Sequence, residues 1–186
     1  MEKNSFPSVT EILYKTRHKS DLEGLKKWRE KVGEEEADRI SKESIERGNL
    51  YDSYVEDYYR GNKIPHKALN LHLQKYNCHS REKYITSEKH GFYGKYDIVF
   101  EYGKCLCLND FKGSSKPKRE EWLGDYLLQI SAYTMALIEK GVDIKYSMIT
   151  VILDNDIQKF LFSIESMEGY FQEFLKRLEQ YNSLKK

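Results

Sequence analysis

The chain has 186 residues, with 31 basic and 30 acidic side chains and a formal net charge of +1. This length suits one domain with a sizeable core, and the balanced charge excludes a strongly basic or acidic protein but not a local basic patch. The three cysteines contain no Cys-x-x-Cys pair and cannot alone supply four ligands, so we expect no iron–sulfur cluster.

Membrane insertion and secretion are not expected. No apolar run reaches the roughly 18–20 residues that a bilayer-spanning helix needs. The first residues, MEKNSFPSVTEIL, lack the apolar stretch of a signal peptide. We therefore expect reduced thiols and a cytoplasmic location, in a bacterial or phage-infected host cell.

Residues 1–80 are predicted to be helical. Ser8 and Glu11 have the spacing of a capping box at the start of a first helix. A second helical segment ends at Gly33, and a third, which begins with acidic residues, ends at Gly61. A shorter helical candidate follows.

From about residue 82 the pattern changes to the short runs that are typical of strands. FYGKYDIVFEYG and KCLCLNDFKG predict two strands joined at Gly103-Lys104, because glycine suits the first central position of a type II′ hairpin turn. One strand precedes this hairpin, and a helix, two strands and a last helix follow it, at about 82–88, 119–140, 144–153, 157–165 and 167–181.

This order of elements predicts a mixed α/β fold. We expect a single domain over 1–186, in which 1–80 form a helical N-terminal part and 81–186 an α/β core. Asp154-Asn155-Asp156, between the last two strands, is interpreted as a turn.

The hairpin register brings two carboxylates together. With the turn at Gly103-Lys104, Asp97 lies directly across from Asp110, with their Cβ atoms about 4.5–5.5 Å apart. Lys112 shares the face of Asp110, because side chains alternate along a strand. The neighbouring residues are apolar on both faces, as in a central strand.

Two opposed, half-buried carboxylates repel each other unless a cation lies between them. A hard divalent ion such as Mg²⁺ suits two oxygen donors and leaves room for water and a phosphate. Such an ion activates water, and a nearby lysine orients that water or stabilises negative charge. The alternative interpretation is a surface ion pair between Asp110 and Lys112, with Asp97 an ordinary strand-end residue.

The ordered motifs resemble those of the PD-(D/E)XK nuclease superfamily, in its RecB-like exonuclease branch, which includes phage-type and mitochondrial genome maintenance exonucleases. The resemblance spans almost the whole chain. It rests on Pro7-Ser8-Val9-Thr10, Leu25 to Trp28, Val32-Gly33-Glu34-Glu35, Arg47-Gly48, Gly91, Gly94, Asp97, Asp110-Phe111-Lys112-Gly113-Ser114-Ser115-Lys116 and Gln129-Ile130-Ser131-Ala132-Tyr133.

The resemblance implies a restriction-endonuclease-like core, a mixed central sheet with an antiparallel meander flanked by helices. It also implies a metal ion, Mg²⁺ or Mn²⁺, held by Asp97, Asp110 and the main-chain carbonyl of Phe111, with Lys112 serving the attacking water. Gln129 is implied as a catalytic residue and Tyr133 as a residue that contacts DNA, and their spacing puts them on one helical face. They could instead belong to a core stripe.

One position departs from the family pattern. Relatives often have a metal-binding histidine where this chain has Asp52. Aspartate is also a hard oxygen donor, so Asp52 is predicted to be a metal ligand. The alternative is that Asp52 is solvated surface.

Basic residues near this site predict contacts with phosphate groups. Lys116, Lys118 and Arg119 follow the catalytic strand directly, and Arg47 precedes Gly48 in the helical part. Each could also be exposed surface, and Arg47 could cap a helix end. The resemblance implies single-stranded DNA as the partner, degraded processively or from an end.

The expected function is therefore a metal-dependent DNA exonuclease that prefers single strands and serves recombination, repair, replication or nucleotide recycling. Three other hypotheses remain open. The chain could be a catalytically silent nucleic-acid-binding module, a structure-specific endonuclease on the same fold, or an interaction scaffold.

Overall fold

The computed structural model describes residues 6–184. Residues 1–5 and the last two lysines lie outside the described residues, and with them the ends of the predicted single domain and the start of the segment predicted not to be a signal peptide. Within this range the helices are α1 (Val9–Lys15), α2 (Lys19–Val32), α3 (Glu34–Tyr59), α4 (Lys67–Lys75), α5 (Gly124–Glu139) and α6 (Ile164–Ser183). The strands are β1 (Cys78–Ser87), β2 (Phe92–Tyr102), β3 (Cys105–Gly113), β4 (Ile144–Ile152) and β5 (Ile157–Ser163).

The strands form one five-stranded sheet in the order β1-β2-β3-β4-β5. All neighbours are antiparallel except β3 and β4, which are parallel and are joined through α5. The predicted α/β fold, a mixed sheet with an antiparallel meander flanked by helices and a helical N-terminal part, is confirmed. Strand β1 begins at Cys78, earlier than expected.

The predicted hairpin register is confirmed for the paired part of β2 and β3. Tyr102 pairs with Cys105, and the ladder runs to the pair Ile98–Asn109. Gly103 has a φ of 64°, the left-handed conformation that the first central residue of a type II′ turn requires.

Strands β2 and β3 part beyond Ile98 and Asn109. The earlier residues of β2 pair with β1, whereas 110–113 of β3 pair with β4. The sheet is therefore forked. Asp97 and Asp110, predicted to lie directly across from each other, are the first residues beyond the last β2–β3 pair and do not pair as strand neighbours. The fork leaves backbone groups on its inner edges that need other partners.

Helices cover both faces of the sheet with separate apolar cores. On one face, α1, α5 and α6 pack against residues such as Val99 and Leu108. On the other, α3 and α4 contribute Tyr51, Leu69 and Leu73 to a core with Phe100 and Phe111. Both strands of the hairpin are covered on each side, as expected for central strands.

The N-terminal helices do not all belong to one layer. In α1, Ser8 Oγ accepts a hydrogen bond from the Glu11 N–H at 3.1 Å, which confirms the predicted cap. Arg177 of α6 holds α1 in place by donating to the Leu13 carbonyl at 2.6 Å. Helix α2 has no buried residues and packs against α3.

The predicted helix at 119–140 is interrupted. A short 3-10 turn, Glu120–Trp122, precedes α5, which begins at Gly124. The buried side chain of Leu123 separates the two. None of the helices described within 6–184 is both long and apolar enough to cross a membrane.

Gly94 of β2 makes room for a tyrosine from α5. A Cβ atom at this position would lie 2.9 Å from Cζ of Tyr133 and closer still to Cε1 of the same ring. Because backbone and ring are in direct contact, the spacing between α5 and β2 depends on the absence of a side chain here.

Gly94→Ala should therefore lower the free energy of unfolding by about 1–3 kcal/mol, because the buried ring of Tyr133 must shift. Gly169→Ala in α6 is the control, since its Cβ would meet nothing within 4 Å and the helix should gain about 0.5–1 kcal/mol. Denaturant titration measures both. Equal effects of the two substitutions would contradict the packing described here.

Candidate active site

At the fork, the side chain of Asp97 accepts a backbone hydrogen bond that a partner strand would otherwise accept. Its Oδ2 accepts a hydrogen bond from the Phe111 N–H at 2.8 Å, which satisfies a backbone donor where β2 no longer pairs with β3. Burial, followed by the charge of Asp110, raises the pKa of Asp97 to about 7. A carboxyl with this pKa is poised to lose its proton near neutral pH.

Asp110 and Lys112 form a buried ion pair. Nζ of Lys112 lies 2.6 Å from Oδ2 of Asp110, whose side chain is 4% exposed. At this distance the ammonium group is in direct contact with the carboxylate. Burial lowers the pKa of Lys112, but the charges of Asp110 and Asp97 outweigh it and raise that pKa overall. Lys112 therefore stays an ammonium group.

A second Asp-x-Lys tripeptide shows what the surface alternative looks like. Asp143 and Lys145 are paired at 2.5 Å, but their side chains are 77% and 52% exposed. Exposed pairs of this kind contribute little to stability. The burial of Asp110 distinguishes it from this pair, so the interpretation of Asp110–Lys112 as a surface ion pair is wrong in structural terms.

The fork opens into a cleft of about 650 Å³ between α3 and strands β1, β2 and β3. Asp52 and Glu56 of α3 line it together with Asp97 and Phe111. Burial, opposed by Lys112 and assisted by Asp110, raises the pKa of Asp52. Asp52 is thus close enough to the ion pair for their charges to interact.

Glu82 of β1 has a strained backbone beside the same cleft. Its φ is 54°, a left-handed value that is uncommon for a residue other than glycine. The pairs on either side, Arg81–Ile98 and Lys83–Tyr96, place Glu82 across from Asp97. Its carboxylate pairs with Lys95, which also lines the cleft.

Gln129 and Tyr133 lie on one face of α5, as predicted. Nε2 of Gln129 donates a hydrogen bond to the Tyr133 hydroxyl at 3.2 Å. Burial raises the pKa of Tyr133 to about 12, and the charges of Asp110, Lys112 and Asp97 also act on it. The ring is buried against Gly94, so both residues support the fork from the α5 side.

Arg47 forms an ion pair that was not predicted from the sequence. Its Nε lies 3.7 Å from Oδ1 of Asp154, which also accepts a hydrogen bond from the Tyr51 hydroxyl at 3.0 Å. The β4–β5 turn therefore anchors α3. The predicted contact of Arg47 with DNA stays a prediction.

The predicted basic loop follows β3. The side chain of Gln158 holds the backbone of Lys118 with two hydrogen bonds, at 2.8 and 2.7 Å. Lys116 and Arg119 are exposed on the same loop. The predicted contacts of all three residues with DNA stay predictions.

Two buried carboxylates and a carbonyl suit a hard divalent ion. Asp110, which is buried and paired with Lys112, and Asp97, which is half-buried, supply anionic oxygens, and the N–H of Phe111 links the two strands through Asp97. Within the described residues, no three or more His, Cys, Asp or Glu side chains are grouped to hold a metal. Asp52 therefore shares the cleft without completing a preformed three-ligand cage, and a Mg²⁺ ion bound here would keep several waters.

A buried polar network beneath the site was not predicted. On the back of β3, Asn109 Oδ1 accepts a hydrogen bond from the Thr150 hydroxyl at 2.6 Å, and Nε2 of His72 lies 3.4 Å from that hydroxyl. The signal available in the sequence was an asparagine within the apolar run before Asp110. The network links α4 to the two central strands.

Comparisons with known proteins find similarity only at low identity. No family model matches the chain. The chain is similar to "Mitochondrial genome maintenance exonuclease 1" of Homo sapiens, with 24% identity over an alignment of 212 positions, gaps included, that covers 100% of this chain. It spans 61% of that protein's length.

The chain is also similar to two solved structures. SSO0001 has a TM-score of 0.47 and 13% identity, over 95% of this chain and 77% of the other. "Putative exonuclease" from Eubacterium rectale has a TM-score of 0.44 and 12% identity, over 84% of this chain and 64% of the other.

The raised pKa of Asp97 predicts a pH-dependent stability in chelator. Because the folded pKa of about 7 exceeds the unfolded value of 3.8, the folded state binds more protons between these values. Stability should therefore fall as pH rises from about 4 to 7. Asp97→Asn removes this loss and should be more stable than the wild type by about 1–3 kcal/mol at pH near 8.

Denaturant titrations at several pH values measure this difference, which should shrink toward zero near pH 4. Asp143→Asn, at an exposed position, is the control and should change stability by less than about 0.5 kcal/mol. A difference between Asp97→Asn and wild type that does not vary with pH would show that Asp97 is not protonated on folding.

Proposed function

We propose that this chain is a divalent-metal-dependent deoxyribonuclease that shortens DNA from an end and prefers single strands. The observation that carries the proposal is the buried Asp110–Lys112 pair next to Asp97, at the fork of the sheet. Such a charged group is costly to bury, and it is retained where chemistry needs it. The similarity to a human exonuclease agrees with this assignment.

The metal would be held by Asp97, Asp110 and the carbonyl of Phe111, with Asp52 as a further oxygen donor from α3. A Mg²⁺ or Mn²⁺ ion bound there would supply Lewis-acid chemistry, which polarises a phosphoryl oxygen and activates water. Asp97 must give up its proton before it can serve as a ligand. Its pKa of about 7 allows this at cellular pH.

Lys112 provides positive charge rather than a base. Because its pKa is raised, its ammonium group donates hydrogen bonds and does not accept a proton. It would orient the attacking water and stabilise negative charge as the phosphorus–oxygen bond breaks. The ring of Tyr126 lies 5.1 Å from Nζ and helps to fix this side chain.

The basic loop and Arg47 would neutralise phosphates without reading sequence. A near-neutral chain has a modest general affinity for DNA, so capture of a strand should be local to the site. In the cell, such an enzyme would serve recombination, repair, replication or nucleotide recycling.

A cleavage assay tests this proposal directly. A single-stranded oligonucleotide labelled at one end should be shortened with Mg²⁺ or Mn²⁺ and left intact with chelator. Closed circular single strands should survive if the enzyme needs an end. Cutting of the circle would instead indicate an endonuclease, and a shifted but uncut band would indicate a silent binding module.

Asp110→Asn should reduce cleavage of the same oligonucleotide by at least about a hundredfold. Asp143→Asn, in the exposed Asp-x-Lys pair, is the matched control and should cleave like the wild type. Thermal unfolding of both variants shows whether each remains folded. Full activity in folded Asp110→Asn would refute the assignment of the site.

A further inference from the structure

Trp122 is exposed next to the basic loop. Its side chain lies in the 3-10 turn before α5 and is 58% exposed, whereas the following residue, Leu123, is 1% exposed. The backbone N–H of Trp122 donates a hydrogen bond to the Arg119 carbonyl at 3.0 Å. The indole is therefore presented to solvent on an anchored backbone rather than on a loose loop.

Arg119 lies over the face of this indole. The guanidinium carbon is 5.2 Å from the ring centroid, within the range of a cation–π contact. The same guanidinium is 3.9 Å from the Glu121 carboxylate, an exposed pair. Arg119 thus restrains one side of Trp122 and brings positive charge to it.

This aromatic surface is one helical turn from the candidate active site. The Tyr126 N–H donates to the Leu123 carbonyl at 2.7 Å, so Tyr126 follows Trp122 within one turn. The Tyr126 ring contacts the ammonium group of Lys112. The residues from Trp122 to Tyr126 thus connect the exposed indole to the surroundings of Lys112.

The surrounding charge favours a base over a string of phosphates. Lys116, Lys118 and Arg119 are basic, but Glu120 and Glu121 directly precede Trp122 and offset part of that charge beside the indole. Phosphate contacts of the basic loop therefore do not explain why an aromatic ring is exposed at this position. Stacking on an exposed aromatic ring, in contrast, depends on the face of a base and not on net charge.

We infer that Trp122, restrained by Arg119, is a stacking platform for an unpaired base of the single-stranded DNA substrate. This inference rests on the proposed function and adds a reason for the preference for single strands. In a duplex both faces of each internal base are covered by neighbouring base pairs. An unpaired base is free to stack on the indole.

The test uses the Trp28→Phe protein, in which Trp122 is the one remaining tryptophan. A single-stranded thymidine oligonucleotide, added in chelator so that it is not cut, should quench the Trp122 fluorescence. An abasic oligonucleotide of the same length should not quench it. Trp122→Ala should weaken binding of the thymidine oligonucleotide roughly tenfold but hardly change binding of the abasic one.

Tyr14→Ala is the matched control, because Tyr14 is 67% exposed with Arg17 over its ring but lies on α1. It should bind both oligonucleotides like its parent. If Trp122→Ala binds the thymidine oligonucleotide as tightly as its parent, or if both oligonucleotides quench equally, the stacking platform is refuted while cleavage by the wild type still stands. If the wild type neither binds nor cuts single strands, the proposed function fails as well.

Discussion

The parting of β2 and β3 beyond Ile98 and Asn109 is the feature on which the rest of the site depends. A forked sheet exposes backbone donors on its inner edges, and the Asp97 carboxylate satisfies one of them at Phe111. The fork also leaves Asp110 without a strand neighbour on the β2 side. The same opening that breaks the ladder therefore creates a cleft lined by carboxylates.

The surrounding helices hold this opening in place from both faces of the sheet. On one face, Tyr133 packs against Gly94, so α5 fixes the β2 side of the fork. On the other, the contacts of Arg47 and Tyr51 with Asp154 position α3 over the cleft.

Lys112 balances the buried negative charge only in part, because burial and Asp110 still raise the pKa of Asp97. That excess of negative charge is what a divalent cation would neutralise.

Much of this arrangement could be predicted from the sequence, because the hairpin turn at Gly103 fixes the register of the two strands that carry the carboxylates. The fork could not, since the separation of paired strands depends on packing by helices elsewhere in the chain. For the same reason the Arg47–Asp154 contact was missed, as it joins a helix to a turn that is remote in sequence. The strain at Glu82 is likewise a tertiary effect that local propensity does not report.

Isothermal titration calorimetry of Mn²⁺ binding, in the absence of DNA, tests most directly whether the fork holds a metal ion. The wild type should bind Mn²⁺, Asp110→Asn should lose this binding and Asp143→Asn should retain it. Binding should also release protons when the pH is below about 7, because Asp97 must ionise. Absence of binding to the wild type, or equal binding by folded Asp110→Asn, would contradict a metal site at the fork.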